Sequence, residues 1–265
     1  MKLDIIIPCY NAESTLKRAV LSCIMQPELN QLWLVDDGST DNTWRLIQQL
    51  AAEYPQIRAE RLPENGGVAR ARNWGALQSE ADLIAFLDAD DAYENGALAA
   101  AYFSFQHFDY LGLIRLKVKP VGLSERYAQH EKIDHAWRIL EMTVGGNMVF
   151  RRHFFLACGG FPRNELFKQF GGEDGALGLA TTYNSVVGTL FGENEPGVLH
   201  YCRDGMHAER LLEAFLYDLH DPRITQTDKD EADSVTQNIG TQLQGLKTIL
   251  SVAQSGIMPL QVSRE

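Results

Sequence analysis

The chain has 265 residues, 45% hydrophobic and 22% charged, and its 24 Lys and Arg against 35 Asp and Glu leave a net charge of −11. That balance excludes the broad basic surface on which nonspecific nucleic-acid binding and polybasic membrane docking depend. Cys9, Cys23, Cys158 and Cys202 contain no C-x-x-C pair, which argues against a zinc ribbon or a disulfide framework. No apolar run reaches the ~18 residues of a membrane span, and no signal-peptide pattern opens the chain, so a soluble cytoplasmic protein is expected.

Residues 3–7 read as a first strand, closed by Pro8, which cannot donate to a sheet ladder. A loop leads to a helix whose buried stripe is Leu16, Ala19, Val20, Cys23 and Ile24. Residues 32–35 form a second strand ending in Asp36-Asp37-Gly38-Ser39. Thr40 or Asp41 can cap the helix that follows. A third, exposed strand is expected over 57–62, a turn at Asn65-Gly66-Gly67, a helix over 68–78, and a buried strand over 83–87 running into Asp88-Ala89-Asp90-Asp91. Strands alternating with helices predict a parallel, doubly wound sheet.

The second half is less periodic. Residues 92–108 read as helix, 110–121 as one strand, 125–140 as helix or ordered loop, and 143–150 as a strand with a close backbone approach at Gly145 and Gly146. Residues 211–219 are amphipathic. A helical stripe of Val235, Ile239, Leu243, Leu246 and Leu250 spans 229–252, and the last dozen residues are expected to be disordered.

Two strands that end in aspartates would emerge on one edge of a parallel sheet, where open α/β folds bind ligands. Crowded carboxylates repel one another unless a cation or solvent compensates them, and hard oxygen donors suit Mg²⁺ or Mn²⁺. A carboxylate can also read a pyrimidine imide, and Tyr10, at the end of the first strand, can stack on a base. The plainer alternatives are turn and cap roles for Asp36 and Asp41, and a partly buried Tyr10.

Four blocks occur in order: Pro8-Cys9-Tyr10-Asn11; Val35-Asp36-Asp37-Gly38-Ser39-Thr40-Asp41; Asn65-Gly66-Gly67 with Ala71-Arg72-Asn73; and Phe86-Leu87-Asp88-Ala89-Asp90-Asp91. Together with Gly159-Gly160-Phe161 and Glu173-Asp174 they resemble the signature of family 2 glycosyltransferases, inverting enzymes of the GT-A fold. The resemblance implies a Rossmann-like mixed α/β sheet flanked by helices, here with a C-terminal helical extension. It divides the chain into a donor half (1–100), an acceptor half (101–220) and a tail (221–265). It implies a nucleotide diphosphate sugar donor, with uridine favoured, and a hydroxyl on a saccharide, lipid-linked or small-molecule acceptor. It also implies a divalent metal, Mg²⁺ or Mn²⁺.

By the same resemblance, Pro8, Tyr10, Asp37, Arg72, Asp88 and Arg203 are expected at the donor, Asp88, Asp90 and His207 at the metal, and Asp174 as base with Glu173 orienting. The alternatives are a surface charge at Arg72 and Arg203, an exposed or capping His207, and a helix N-terminal pair at Glu173-Asp174. Family members often follow the acidic pair with an aromatic residue and later an arginine, whereas Gly175-Ala176-Leu177-Gly178-Leu179 follows here. An inactive sugar-nucleotide binder therefore stays open as an alternative. A sugar nucleotidyltransferase is disfavoured because residues 8–14 lack glycine and basic residues, and a dehydrogenase because no G-x-G-x-x-G follows the first strand.

Overall fold

The computed structural model describes residues 1–203, 205–250 and 255–261. The expected alternation builds the first half: β1 (Leu3–Cys9), α1 (Leu16–Ile24), β2 (Leu29–Asp36), α2 (Thr43–Glu53), β3 (Ile57–Arg61), α3 (Val68–Gln78) and β4 (Leu83–Phe86). These strands lie side by side in the order β3-β2-β1-β4, all parallel. Pro8 does not end β1, which runs on to Cys9. Its missing N–H falls on the β4 side, and there the ladder stops: Ile6 pairs Phe86, the Leu87 N–H reaches the Ile6 carbonyl at 3.2 Å, and nothing follows. The β1 and β4 chains part at that point.

After β4 the elements are more finely divided than the apolar pattern suggests. Residues 92–108 are not one helix: Ala92–Tyr93 forms β5, and α4 starts only at Ala99 (Ala99–His107). Tyr93 is buried, its hydroxyl donating to the Phe86 carbonyl at 2.8 Å, so tertiary pairing overrides the local run. The stretch 110–121 is two strands, β6 (Leu111–Leu116) and β7 (Val118–Val121), in different sheets. Residues 125–140 hold two short helices, α5 (Glu125–Ala128) and α6 (Ile133–Glu141). The 143–150 segment is a 3-10 turn at Gly145–Asn147 followed by β8 (Met148–Arg151).

The remaining elements are α7 (Arg152–Ala157), α8 (Glu165–Phe170), α9 (Glu173–Asn184), β9 (Val186–Leu190), β10 (Val198–Tyr201), α10 (His207–Tyr217), α11 (Gln226–Leu250) and β11 (Gly256–Pro259). The eight-stranded sheet runs β11-β9-β6-β8-β4-β1-β2-β3. In it β8 is antiparallel to both neighbours and β11 pairs parallel with β9. The end of the chain is thus not disordered throughout, because residues 256–259 complete the sheet; residues 251–254, 262–265 and the Leu250 side chain lie outside the described residues. A small sheet, β5-β10-β7, stands beside the large one.

Two apolar layers sandwich the large sheet. Leu16, Val20 and Cys23 of α1, Ile47 and Leu50 of α2, and Phe105 of α4 cover one face. Ala71 and Ala76 of α3, Leu177 and Ala180 of α9, and Ile239 and Leu243 of α11 cover the other. On that second face Phe86 meets Phe155 and Phe161 with ring centroids 5.2 and 5.1 Å apart, contacts worth ~0.5–1.5 kcal/mol each beyond their burial. The aromatic cluster fixes the Gly159-Gly160-Phe161 segment under the end of β4. Among the described residues, no helix is long and apolar enough to cross a membrane.

Candidate active site

Parallel pairing puts the C-terminal ends of β1, β2 and β4 on one edge. Cys9 pairs Asp36, and the Asp37 N–H donates to the Cys9 carbonyl at 2.8 Å, so Tyr10 and Asp37 emerge together. Tyr10 is 49% exposed, whereas Pro8 is buried in the strand opposite Val35. Asp36 turns inward to Arg61 (3.0 Å) and caps the Ser39 N–H, a structural role. Asp37 accepts the Gly66 N–H (3.0 Å) and Gly67 N–H (2.8 Å), which ties β2 to the glycine turn. Burial raises its pKa despite those bonds.

Arg72 joins the two acidic motifs. It is 3% exposed and donates from Nη2 to Asp88 (2.5 Å) and from Nη1 to Glu173 (3.0 Å). Burial works against its charge, but Asp88, Glu173 and Asp174 outweigh that and hold the guanidinium above its ordinary pKa. Its neighbour Asn73 clamps Phe161 from both sides, Nδ2 to the Phe161 carbonyl and Oδ1 from the Phe161 N–H, each at 2.8 Å. Phe161 in turn lies 5.1 Å from the Arg72 guanidinium. The Ala71-Arg72-Asn73 block therefore holds together segments from three parts of the chain.

Glu173 and Asp174 open α9, where the helix dipole favours negative charge. Glu173 is buried, and burial followed by the Asp174 charge pushes its carboxyl up to about 7. Asp174 is half-buried and is held by two backbone donors, Gly145 N–H on Oδ2 and Gly175 N–H on Oδ1, both at 2.8 Å. Burial raises its pKa, with Arg72 pulling down and Asp88 pushing up.

The glycines at 145 and 146 make the close approach expected of them: a Cβ at Gly145 would sit 2.7 Å from Arg72 Nη1, and one at Gly146 3.1 Å from Asp88 Oδ2. Gly145→Ala is therefore expected to cost about 1–3 kcal/mol through overpacking against Arg72. A urea midpoint equal to wild type would show that the guanidinium yields freely.

On the far side of Asp88, Asp91 is buried and receives His200 Nδ1 (2.8 Å) and the Tyr201 N–H (3.1 Å), so it docks β10 and does not face the crevice. Asp90 meets Arg203 at 2.8 Å, a pair whose arginine is 64% exposed. Arg18 of α1 lies over the Tyr201 ring, 3.5 Å from its centroid, and donates to the Asp90 carbonyl. His207 opens α10 with Nδ1 3.0 Å from Arg210 Nη2. Burial and then the Arg210 charge lower its pKa, which favours the neutral imidazole, the form that can ligate.

A hard divalent cation fits this donor set in one manner. Asp88 and Asp90 are both partly exposed, and with Glu173 and Asp174 the four carboxylates outnumber the two arginines paired to them, Arg72 and Arg203. Among the described residues, however, no three His, Cys, Asp or Glu side chains close into a cage, so Asp88, Asp90 and His207 do not form a preassembled trio. Mg²⁺ and Mn²⁺ suit such an open site, taking one or two carboxylates and completing the shell with phosphate oxygens and water.

Sequence reasoning missed Asn73, Gly145 and Arg18 as organisers of this site. A buried Arg115 behind it was read only as part of a strand. Gly145, in a glycine pair at the start of an apolar strand, and Asn73, in the Ala71-Arg72-Asn73 block, had each left a signal.

The model of Glycosyl transferase family 2 matches residues 4–170. The chain is 40% identical over 97 residues to an uncharacterized glycosyltransferase of Haemophilus influenzae, covering 36% of this chain and 39% of that one. It is 29% identical over 166 residues to the minor teichoic acid biosynthesis protein GgaA of Bacillus subtilis, covering 57% and 37%. The chain thus spans less than two fifths of the length of these relatives. Among solved structures, it resembles Staphylococcus aureus TarS 1–349 in complex with UDP (TM-score 0.59, 20% identity, 96% of this chain and 73% of that one). It also resembles the Pyrobaculum calidifontis mannosyltransferase PcManGT in complex with GDP-Man and Mn²⁺ (TM-score 0.58, 16% identity, 96% and 76%). At those identities the structural likeness establishes the GT-A fold.

Proposed function

The chain belongs to glycosyl transferase family 2, and from that premise we propose that it is an inverting enzyme moving a sugar from a nucleotide diphosphate donor to a hydroxyl acceptor. The observation that carries this reading is Arg72, whose two ion pairs bring the Asp88 and Glu173 motifs together. A uridine diphosphate sugar is the preferred donor, in keeping with the UDP and UDP-GlcNAc complexes of TarS; the GDP-Man complex makes guanosine the competing arm of the test. The acceptor is a saccharide, a lipid-linked sugar or a small molecule.

In this reading residues 1–100 serve the donor, 101–220 the acceptor, and 221–265 form a tail whose helix α11 packs on α9. The exposed Tyr10 ring stacks on the base, while Asp37, its carboxylate fixed by the glycine turn, meets the imide. Asp88 and Asp90 would hold Mg²⁺ or Mn²⁺, with His207 close enough to interact with the Asp88 charge. When bound, the cation supplies charge neutralisation to the leaving diphosphate. Arg203, largely exposed where it meets Asp90, pairs with that diphosphate. Asp174 takes the acceptor's proton as the acceptor oxygen bonds to the anomeric carbon and the carbon–diphosphate bond breaks on the opposite face. Glu173 stays with Arg72 and keeps the pocket's geometry.

Calorimetric titration with UDP, GDP and TDP, each with and without Mn²⁺, tests the donor assignment. UDP with Mn²⁺ is expected to bind tightest, and Asp90→Ala to reduce the metal-dependent gain by at least about tenfold. An unchanged metal dependence in that variant would move the cation elsewhere.

A further inference from the structure

Among the described residues Arg115 is the largest fully buried side chain, and it forms no hydrogen bond with the site side chains assigned above. It sits on β6 on the same face as Leu113, the face covered by α9. Its Nη1 donates to the Glu141 carbonyl (3.3 Å), the Val144 carbonyl (3.1 Å) and Asn147 Oδ1 (3.2 Å). Asn147 Nδ2 draws in the Leu116 and Glu141 carbonyls at 2.7 and 2.8 Å. The two side chains thereby fix the turn from Glu141 to Asn147, the turn whose Gly145 N–H holds Asp174.

The other end of the guanidinium points at α9. A Cβ at Gly178 would lie 2.3 Å from Arg115 Nη2, so the glycine makes room for it, and Gly178 stands one helical turn below Asp174 on the same stripe. Neither Nη2 nor Nε has a hydrogen-bond partner among the described residues. A buried cation left partly unsatisfied is expensive. The charge is thus kept in spite of its cost to the fold.

We propose that Arg115 is a positioning residue for Asp174, fixing the Gly145 turn with one end and placing a buried positive charge beneath the carboxylate with the other. This rests on Asp174 being the base. Burial depresses the Arg115 pKa to about 10, and Asp174 is the carboxylate whose charge opposes that fall. Asp174 is also faced by Arg72 from α3, Asp88 from the end of β4, Glu173 from α9 itself and His207 from α10, along with the Gly145 and Gly175 amides.

The test reads Asp174 itself, by carboxyl-¹³C NMR titration of aspartate-labelled protein, with the signal assigned through Asp174→Asn. Arg115→Gln keeps a donor for the turn and loses the charge, and it should raise the Asp174 midpoint by about half a pH unit or more. Arg115→Lys keeps the charge and should stay within about 0.2 unit of wild type. If Arg115→Gln does not fold, Gly178→Ala, which displaces the guanidinium from α9, should raise the same midpoint. A midpoint that stays put while the melting temperature drops is the signature of a purely structural arginine and overturns the proposal. Wild-type transfer by Asp174→Asn would instead overturn the base assignment and leave the NMR result standing, so the two failures are distinguishable.

Discussion

Asp174→Asn is expected to lower sugar transfer by about 10²–10⁴-fold while leaving nucleotide affinity within about twofold. The asparagine retains one acceptor for the Gly145 or Gly175 amide, so the α9 N-terminus keeps most of its geometry. What it loses is proton affinity. Glu173 cannot substitute, since it is more deeply buried than Asp174 and already engaged by Arg72 at 3.0 Å. Because burial raises the Asp174 pKa, the acidic limb of kcat/KM should lie above the ordinary aspartate range, with activity rising as the group deprotonates. Transfer at the wild-type rate by this variant, measured with the donor that binds best, would show that another group takes the proton.

Arg72→Met should destabilise the protein by about 3–5 kcal/mol, the range found when one partner of a buried ion pair is removed. The loss would leave Glu173 and Asp88 facing each other without their shared cation. Its pH dependence follows from Glu173. With a folded pKa of about 7, above the ordinary 4.5, the fold prefers the protonated acid; that contribution is complete below 4.5 and is lost as pH rises through 7. Without the guanidinium the folded pKa rises further, so the deficit should be larger at pH 8 than at pH 5. Urea denaturation at both values checks this, and equal deficits would mean that Arg72 acts through packing on Phe161 instead of through charge.

Much of the donor side was legible from local pattern. The apolar runs ending at Pro8, Val35 and Leu87 placed three strand ends, and the motifs following them named Tyr10, Asp37, Asp88 and Asp90. Individual carboxylates were not separable in this way. Asp36 and Asp37 are adjacent, yet one faces Arg61 and the other the glycine turn; Asp90 and Asp91 are adjacent, yet one meets Arg203 and the other His200. Alternation along the chain shows that neighbours diverge, but not which of them meets the crevice.

By itself the sequence determined the alternating first half, the acidic edge and the family, because period-2 and period-3.6 patterns and short motifs are local properties of a chain. Only the tertiary structure decided that residues 110–121 split between two sheets, that residues 256–259 close the large one, and that Arg72 links acids 85 residues apart in the chain, at Asp88 and Glu173. Those outcomes depend on pairing and burial between distant segments, where the charge of one side chain is made affordable by another that no window of sequence contains.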